Sequence, residues 1–272
     1  CCIEEEMPEY IGVSTGELNA AFPLLEQCDV ALVLGTRIDY RLGYGRPPVF
    51  SPDVCFVRVD IDPSELARGP EVDLPIIGDV RSVLEQMTAK ARETTSWDCQ
   101  EWLQTLRKAR DNSLRLWDNM GHEDAMPMPG FRICLELKPF LDENVTFLLD
   151  GGNIGRWANT LLYTRHPTHW TTCGLSGVIG WGLPGGVVSN LVRPDKPVLL
   201  LSGDGSAGFT VTEIETALRF GTPYVAVIAH DSAWGIVADG QAAGRLVASE
   251  LGEIRYDRVA EALGARGIYI EH

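Results

Sequence analysis

Residues 197–231 read PVLLLSGDGSAGFTVTEIETALRFGTPYVAVIAHD. Pro197 to Ser202 is a short apolar run of strand type, and it ends in Gly203-Asp204-Gly205. Val211 to Phe220 has helical spacing, and Tyr224 to Ala229 is a second strand-like run closed by His230-Asp231. Strand, helix and strand in that order predict a parallel βαβ unit. Asp231, 27 residues after Asp204, then emerges at the end of a neighbouring strand. The two glycines let backbone N–H groups approach a diphosphate with no Cβ in the way. Two carboxylates and a diphosphate suit an octahedral Mg2+. A lone Gly-Asp-Gly is a weak motif; a strand end before it, and a helix, a strand and a second acid after it, make it specific.

The same logic extends outward. Upstream, Val145 to Leu149 predicts a strand ending in Asp150-Gly151-Gly152, and Val178 to Val192 a glycine-rich helix. In the first half, Val30–Leu34, Phe56–Ile61 and Ile76–Ile77 are strand-like, and Val80–Arg92 reads as a helix. Trp97 to Asn119 is polar and helical, and Met126-Pro127-Met128-Pro129-Gly130 breaks the chain after it. The expected class is therefore α/β, with two domains of parallel sheet flanked by helices. We place them at residues 1–93 and 130–272, with 94–129 as a linker built on the connecting helix. Three strands of the second half end in polar or glycine-rich turns, where open α/β sheets bind ligands.

Composition agrees. The chain has 272 residues, 45% hydrophobic and 22% charged, with a net charge of −15. That acidity disfavours general nucleic-acid or anionic-membrane binding, and no apolar run approaches the ~18 residues of a membrane span. Seven cysteines without a CxxC pair suggest neither zinc nor a disulfide framework, and Cys28, Cys55 and Cys134 read as buried small hydrophobes. A reducing, cytoplasmic setting is expected. The sequence opens Cys1-Cys2-Ile3 with no initiator Met, which suggests a fragment.

"GDGSAGFTVTEIETALRFGTPYVAVIAHDSAWGIV", "LLDGGNIGRWA" and "GLSGVIGWGLPGGV" resemble the diphosphate-binding domain of thiamine-diphosphate-dependent enzymes of the acetolactate synthase-like family. "LEQCDVALVLGTRIDYRLGYGRPPVF", "RVDIDPSEL" and "IIGDVRSVLEQM" resemble the later part of that family's Rossmann-like central domain. The resemblance covers nearly the whole chain. It implies that Asp204, Asp231 and the backbone carbonyl of Ala233 bind Mg2+. Gly203, Gly205 and Ser206 would hold the diphosphate, Ser206 with its hydroxyl, and Gly152 and Asn153 would meet it from the other side. Ile179 would be the bulky residue that bends the cofactor, and the Gly177 carbonyl would accept from its aminopyrimidine; these two shape the cofactor for catalysis. FAD or ADP is implied for the central domain, with Gly35, Arg37, Asp60 and Asp79 as the candidate nucleotide residues. The parent activity would make or break a bond beside a carbonyl in a 2-keto acid, as in acetolactate synthase-like decarboxylase/carboligases. The alternative substrate is a 2-hydroxyacyl-CoA, as in 2-hydroxyacyl-CoA lyase or oxalyl-CoA decarboxylase, and "RLGYGRPP" keeps that reading open. A homo-oligomer is expected.

Two departures stand out. His230 and Asp231 occupy positions where the family usually has two asparagines; the added charge predicts stricter dependence on the divalent ion. His230 is either hydrogen-bonded at a strand end or turned to substrate. The family's catalytic glutamate lies on a separate N-terminal pyrimidine-binding domain that this chain has no room for. Glu4-Glu5-Glu6 reads as a solvated run. The chain alone should then catalyse little, the missing domain belonging to a longer chain or to a partner; a non-catalytic cofactor-binding subunit is a rival reading. Trp157, Trp170, Trp181 and Trp234 suggest either an aromatic wall or core packing. Asp239, Gln241 and Arg245 are candidates for the substrate entrance, while His166 and His169 read as exposed. Arg37, Arg41 and Arg46 form a local basic cluster.

Overall fold

The computed structural model describes residues 7–13, 18–93, 98–122, 125–162, 170–242 and 245–271. Glu4–Glu6, Trp97, His166 and His169 lie outside the described residues. The chain separates into two compact units, residues 11–113 and residues 114–272 with 1–10.

Residues 11–113 hold a parallel sheet of β1 (Val30–Leu34), β2 (Cys55–Asp60) and β3 (Leu74–Ile77), in that spatial order. Helix α1 (Pro63–Leu66) lies in the crossover from β2, and α2 (Val80–Ala91) follows β3. Asp62 and Asp79 cap these helices by accepting from Ser64 N–H and Ser82 N–H, which fits their place just before each first turn. Phe50 and Phe56 meet edge to face at 5.2 Å beside Ile38 in the core. Cys28 and Cys55 are half-buried rather than buried, because they sit at the margin of this small core. Helix α3 (Gln100–Gly121) contains the division between the units.

The second unit holds α4 (Gly130–Leu137), β4 (Thr146–Asp150), α5 (Asn153–Leu161), β5 (Trp170–Thr172), α6 (Gly182–Val192), β6 (Val198–Gly203), α7 (Asp204–Thr210), α8 (Glu213–Phe220), β7 (Val225–Ala229), α9 (Gly235–Asp239) and α10 (Tyr256–Ala262). Its four strands are all parallel, in the order β5-β4-β6-β7. Every residue of β4 is buried, as are the first five of β6. Such runs are apolar on both faces because helices cover both. Phe147, Leu149, Leu199 and Leu201 point to one face and pack with Cys134, Ile154 and Ala158 of α4 and α5. Leu148, Val198 and Leu200 point to the other and pack with Leu183 of α6 and Ala207 of α7.

The chain leaves β4 toward β5 and leaves β6 the opposite way toward β7. The turns after β4 and β6 therefore diverge and leave a crevice at the carboxyl ends of the strands. Two expected boundaries shift. The helix expected over Val178–Val192 begins at Gly182, because the buried Asp150 carboxylate accepts from Gly180 N–H and Gly182 N–H and holds 178–181 as a loop. The turn after Gly203 is itself a helix, α7, which its glycines made illegible. No helix among the described residues is long and apolar enough to cross a membrane.

Candidate active site

Asp204 is the first residue of α7 and is 3% exposed. Its Oδ1 accepts from Gly205 N–H at 2.7 Å and its Oδ2 from Ser232 N–H at 2.9 Å. The Tyr256 hydroxyl, from α10, donates to its backbone carbonyl at 2.8 Å. Burial raises the carboxyl above the usual carboxylate range; Asp231 adds to that, while the Gly205 and Ser232 N–H groups and His230 oppose it.

Asp231 follows β7. Its Oδ1 accepts from Ala233 N–H at 3.1 Å, and its Oδ2 lies 3.4 Å from the Asn153 amide nitrogen. Asn153 opens α5, across the crevice. A Cβ on Gly235 would stand 2.6 Å from Asp231 Oδ2 and 2.8 Å from Asn153 Nδ2, so glycine there lets the two side chains meet. Gly151, at φ +120°, brings the β4 turn against β6: a Cβ there would lie 2.7 Å from Gly203 N. Asn153, Gly203, Asp204, Asp231 and Gly235 border a cavity of about 310 Å³, whose wall includes Ile179, Trp234 and Ile236. A Cβ on Gly203 would meet nothing within 4 Å, so the backbone is open to a ligand there.

Asn153, Ile179, Gly203, Asp204, Gly205, Ser206, Asp231 and Ala233 all border the cavity, as does Gly152. Gly177, left-handed at φ +61°, is exposed and is not part of its wall. Ser206 is 4% exposed and borders the cavity, and its hydroxyl also faces the buried Asp150 carboxylate. Burial raises Asp150 as well, against the pull of its Gly182, Gly180 and Ser206 donors. His230 accepts from Ile254 N–H through Nε2 at 3.3 Å, so it is held at the strand end and borders the cavity too.

The four tryptophans divide. Trp157 and Trp234 border the cavity. Trp170 meets Phe147 at 4.6 Å with the rings tilted by 59°, and Trp181 packs against the core around Leu148 with its indole N–H unpartnered among the described residues. The Gln241 amide bonds to Val247 and Ser249. Asp239 pairs with Arg156 at 3.1 Å. Asp150, Tyr256 and this role of Gln241 were missed by sequence reasoning, and only the aspartate at a strand end was a usable signal.

In the other unit, Gly35, Asp60 and Asp79 stand at the carboxyl ends of β1, β2 and β3. Arg37 donates twice to Glu65, at 2.8 and 2.7 Å, and holds that carboxyl below its usual range. Asp60 accepts from Asp62 N–H, and Asp79 is the cap of α2. Arg41 lies over the Tyr40 ring. Arg58, unforeseen, is 1% exposed in β2 and donates to the Arg68 and Thr36 carbonyls.

The cavity fits a diphosphate carried on a hard cation. Its charged donors are carboxylates, the open backbone at Gly203 leaves room for a ligand, and Gly235 admits the Asn153–Asp231 approach.

Comparison with known proteins agrees with a diphosphate ligand. Residues 150–272 match the family model described as "Thiamine pyrophosphate enzyme, C-terminal TPP binding domain", and residues 1–87 match "Thiamine pyrophosphate enzyme, central domain". The chain is 30% identical over 247 residues to a probable acetolactate synthase of Mycobacterium bovis, covering 89% of this chain and 44% of that protein. It is 24% identical over 264 residues to mouse 2-hydroxyacyl-CoA lyase 1, covering 90% and 45%. It is 27% identical over 275 residues to human 2-hydroxyacyl-CoA lyase 2, covering 95% and 43%. The chain spans less than half the length of these relatives.

Proposed function

Because this chain belongs to the thiamine pyrophosphate enzyme family, whose central and C-terminal domains it matches, we infer that its cavity binds the diphosphate of thiamine diphosphate through Mg2+. One observation carries the reading: Asp204 and Asp231, from neighbouring strand ends, border one cavity with Asn153 at its far side. Among the described residues, no three or more His, Cys, Asp or Glu side chains converge as a ligand cluster. The family resemblance assigns the backbone carbonyl of Ala233 as the third protein ligand. Ile179 would press on the cofactor, and Gly152, Asn153, Gly203, Gly205 and Ser206 would surround its diphosphate, Ser206 with its hydroxyl. Gly177 is assigned the aminopyrimidine contact.

Bound thiamine diphosphate supplies an electron sink for chemistry beside a carbonyl. The chain's own part is orientation. Asp204, fixed at Oδ1, Oδ2 and its backbone carbonyl, presents its carboxylate without rearrangement. Asp150 holds the loop that carries Ile179. We assign the whole protein's activity to decarboxylation or carboligation of a 2-keto acid, by the similarity to acetolactate synthases. Cleavage of a 2-hydroxyacyl-CoA is the second reading, favoured by the similarity to the two lyases. Bound FAD would support the first, and bound ADP or CoA the second, with Gly35, Arg37, Asp60 and Asp79 as the nucleotide residues. In this reading residues 1–93 belong to the central domain, 94–129 connect, and 130–272 bind the cofactor. Homo-oligomerisation, or pairing with a pyrimidine-binding domain, and a cytoplasmic location complete the proposal.

Titration calorimetry of thiamine diphosphate with and without Mg2+ tests it. Metal-dependent binding by the wild type, lost in Asp204→Ala, is expected. Equal binding by both proteins overturns the assignment.

A further inference from the structure

Two residues near the cavity adopt left-handed backbone conformations that side chains disfavour: Ser232 at φ +57° and Ala248 at φ +52°. Such residues persist only where their surroundings hold them. Each belongs to one side of a short antiparallel bridge, Ala233 opposite Glu250. Trp234 N–H donates to the Ser249 carbonyl and Leu251 N–H to the Ser232 carbonyl, both at 2.8 Å. The turn that carries Asp231 and Ala233 is therefore one side of a miniature ladder, and residues 249–251 are the other.

The second side is itself held by Gln241. Its Oε1 accepts from Val247 N–H at 2.7 Å and from the Ser249 hydroxyl at 3.3 Å. Its Nε2 donates to the Val247 carbonyl at 3.1 Å. The amide thus bonds to Val247 as a neighbouring strand would, accepting and donating at one residue. Ser249 is fully buried. Gln241 follows directly on α9, which starts from the same turn. The turn, the helix, Gln241 and the returning segment therefore form a closed ring of bonds.

We propose that Gln241 is a positioning residue for cation binding. By clasping residues 247–249 it holds the bridge that sets Asp231 and the Ala233 carbonyl, and it does not touch substrate. This rests on the assignment of Asp231 and Ala233 as cation ligands. The chemistry demands an amide: a carboxylate at this place still accepts from Val247 N–H and Ser249 but donates nothing to the Val247 carbonyl.

The test uses the full chain with Mn2+ and thiamine diphosphate as probes. Mn2+ affinity is read by electron paramagnetic resonance, and hydrogen exchange is followed at the Trp234 and Leu251 amides. Gln241→Met should weaken Mn2+ about tenfold, as the loss of groups that orient a ligand does, and should speed exchange at both amides. Gln241→Glu should fall between Met and wild type on both readouts, a graded recovery that general loosening of the fold does not produce. Ser249→Ala, which removes only one bond of the clasp, should give a smaller shift in the same direction if Gln241→Met fails to fold. Wild-type Mn2+ affinity in Gln241→Met overturns the proposal, as does weakened affinity with unchanged exchange at the two amides. A wild-type chain that takes up no Mn2+ with thiamine diphosphate overturns the site assignment and this proposal with it. The exchange measurement needs no metal, so it shows separately whether the clasp holds the turn.

Discussion

Asp204 combines near-complete burial with three fixed bonds, so small changes around it should be felt. Tyr256→Phe removes the donor to its backbone carbonyl and should cost about 1 kcal/mol of stability, measured by urea unfolding. Gly235→Ala should act differently. Its Cβ would stand 2.6 Å from Asp231 Oδ2 and 2.8 Å from Asn153 Nδ2, so the two side chains must part. Metal-dependent cofactor binding should weaken at least tenfold while the unfolding midpoint moves little; an unchanged affinity would show that Asp231 is not a ligand. Cys134 offers a pH test. Burial pushes its thiol up to about 12, against about 8.5 for a free thiol. The folded state holds that proton more tightly than the unfolded chain. Its contribution to stability is thus full below about 8.5 and is lost as pH rises toward about 12. At pH 8, iodoacetamide should label the exposed Cys99 and spare Cys134, as read by peptide mass spectrometry.

At the scale of elements, depth in the sheet decides cost. Leu200 in β6 is fully buried between α6 and α7, whereas Val225 in the edge strand β7 is 61% exposed. Leu200→Ala should destabilise by about 2–5 kcal/mol, and Val225→Ala by under about 0.5 kcal/mol; urea midpoints of the two variants check this. The strands were legible because parallel, two-sided burial leaves unbroken apolar runs such as Val198–Leu201. Helix α7 was not legible: Gly205 and Gly208 lower its propensity, and what holds it is the contact of Ala207 and its neighbours with the sheet. The start of α6 was misplaced for the converse reason. The 178–181 segment is apolar, but a carboxylate 30 residues before Gly180 accepts that residue's N–H.

At the scale of the molecule, every residue bordering the cavity belongs to the unit of residues 114–272. Thiamine diphosphate with Mg2+ should therefore slow hydrogen exchange around β4, β6 and β7. At a hundred times the dissociation constant it should stabilise the folded state by about 2.7 kcal/mol. Protection confined to β1–β3 would place the ligand elsewhere. The net charge of −15 adds a condition: an acidic chain repels a diphosphate unless a cation intervenes, so chelation should abolish that protection.

The α/β class, the run of parallel strands and the pair Asp204 and Asp231 were determined by sequence alone, because apolar runs, glycine turns and carboxylate spacing are local facts. The tertiary structure alone decided which polar groups face one another. It set the Ser206 hydroxyl against Asp150, the Arg37 guanidinium against Glu65 and the Gln241 amide against Val247. It also set Trp157 and Trp234 at the cavity, Trp157 packing edge to face on Phe131 as well, and put Trp170 and Trp181 into packing. The physical reason is plainest for the pair farthest apart: Asp150 and Ser206, 56 residues apart, meet only when β4 and β6 pair in the sheet, and a buried polar group takes whatever donor or acceptor that placement brings within reach.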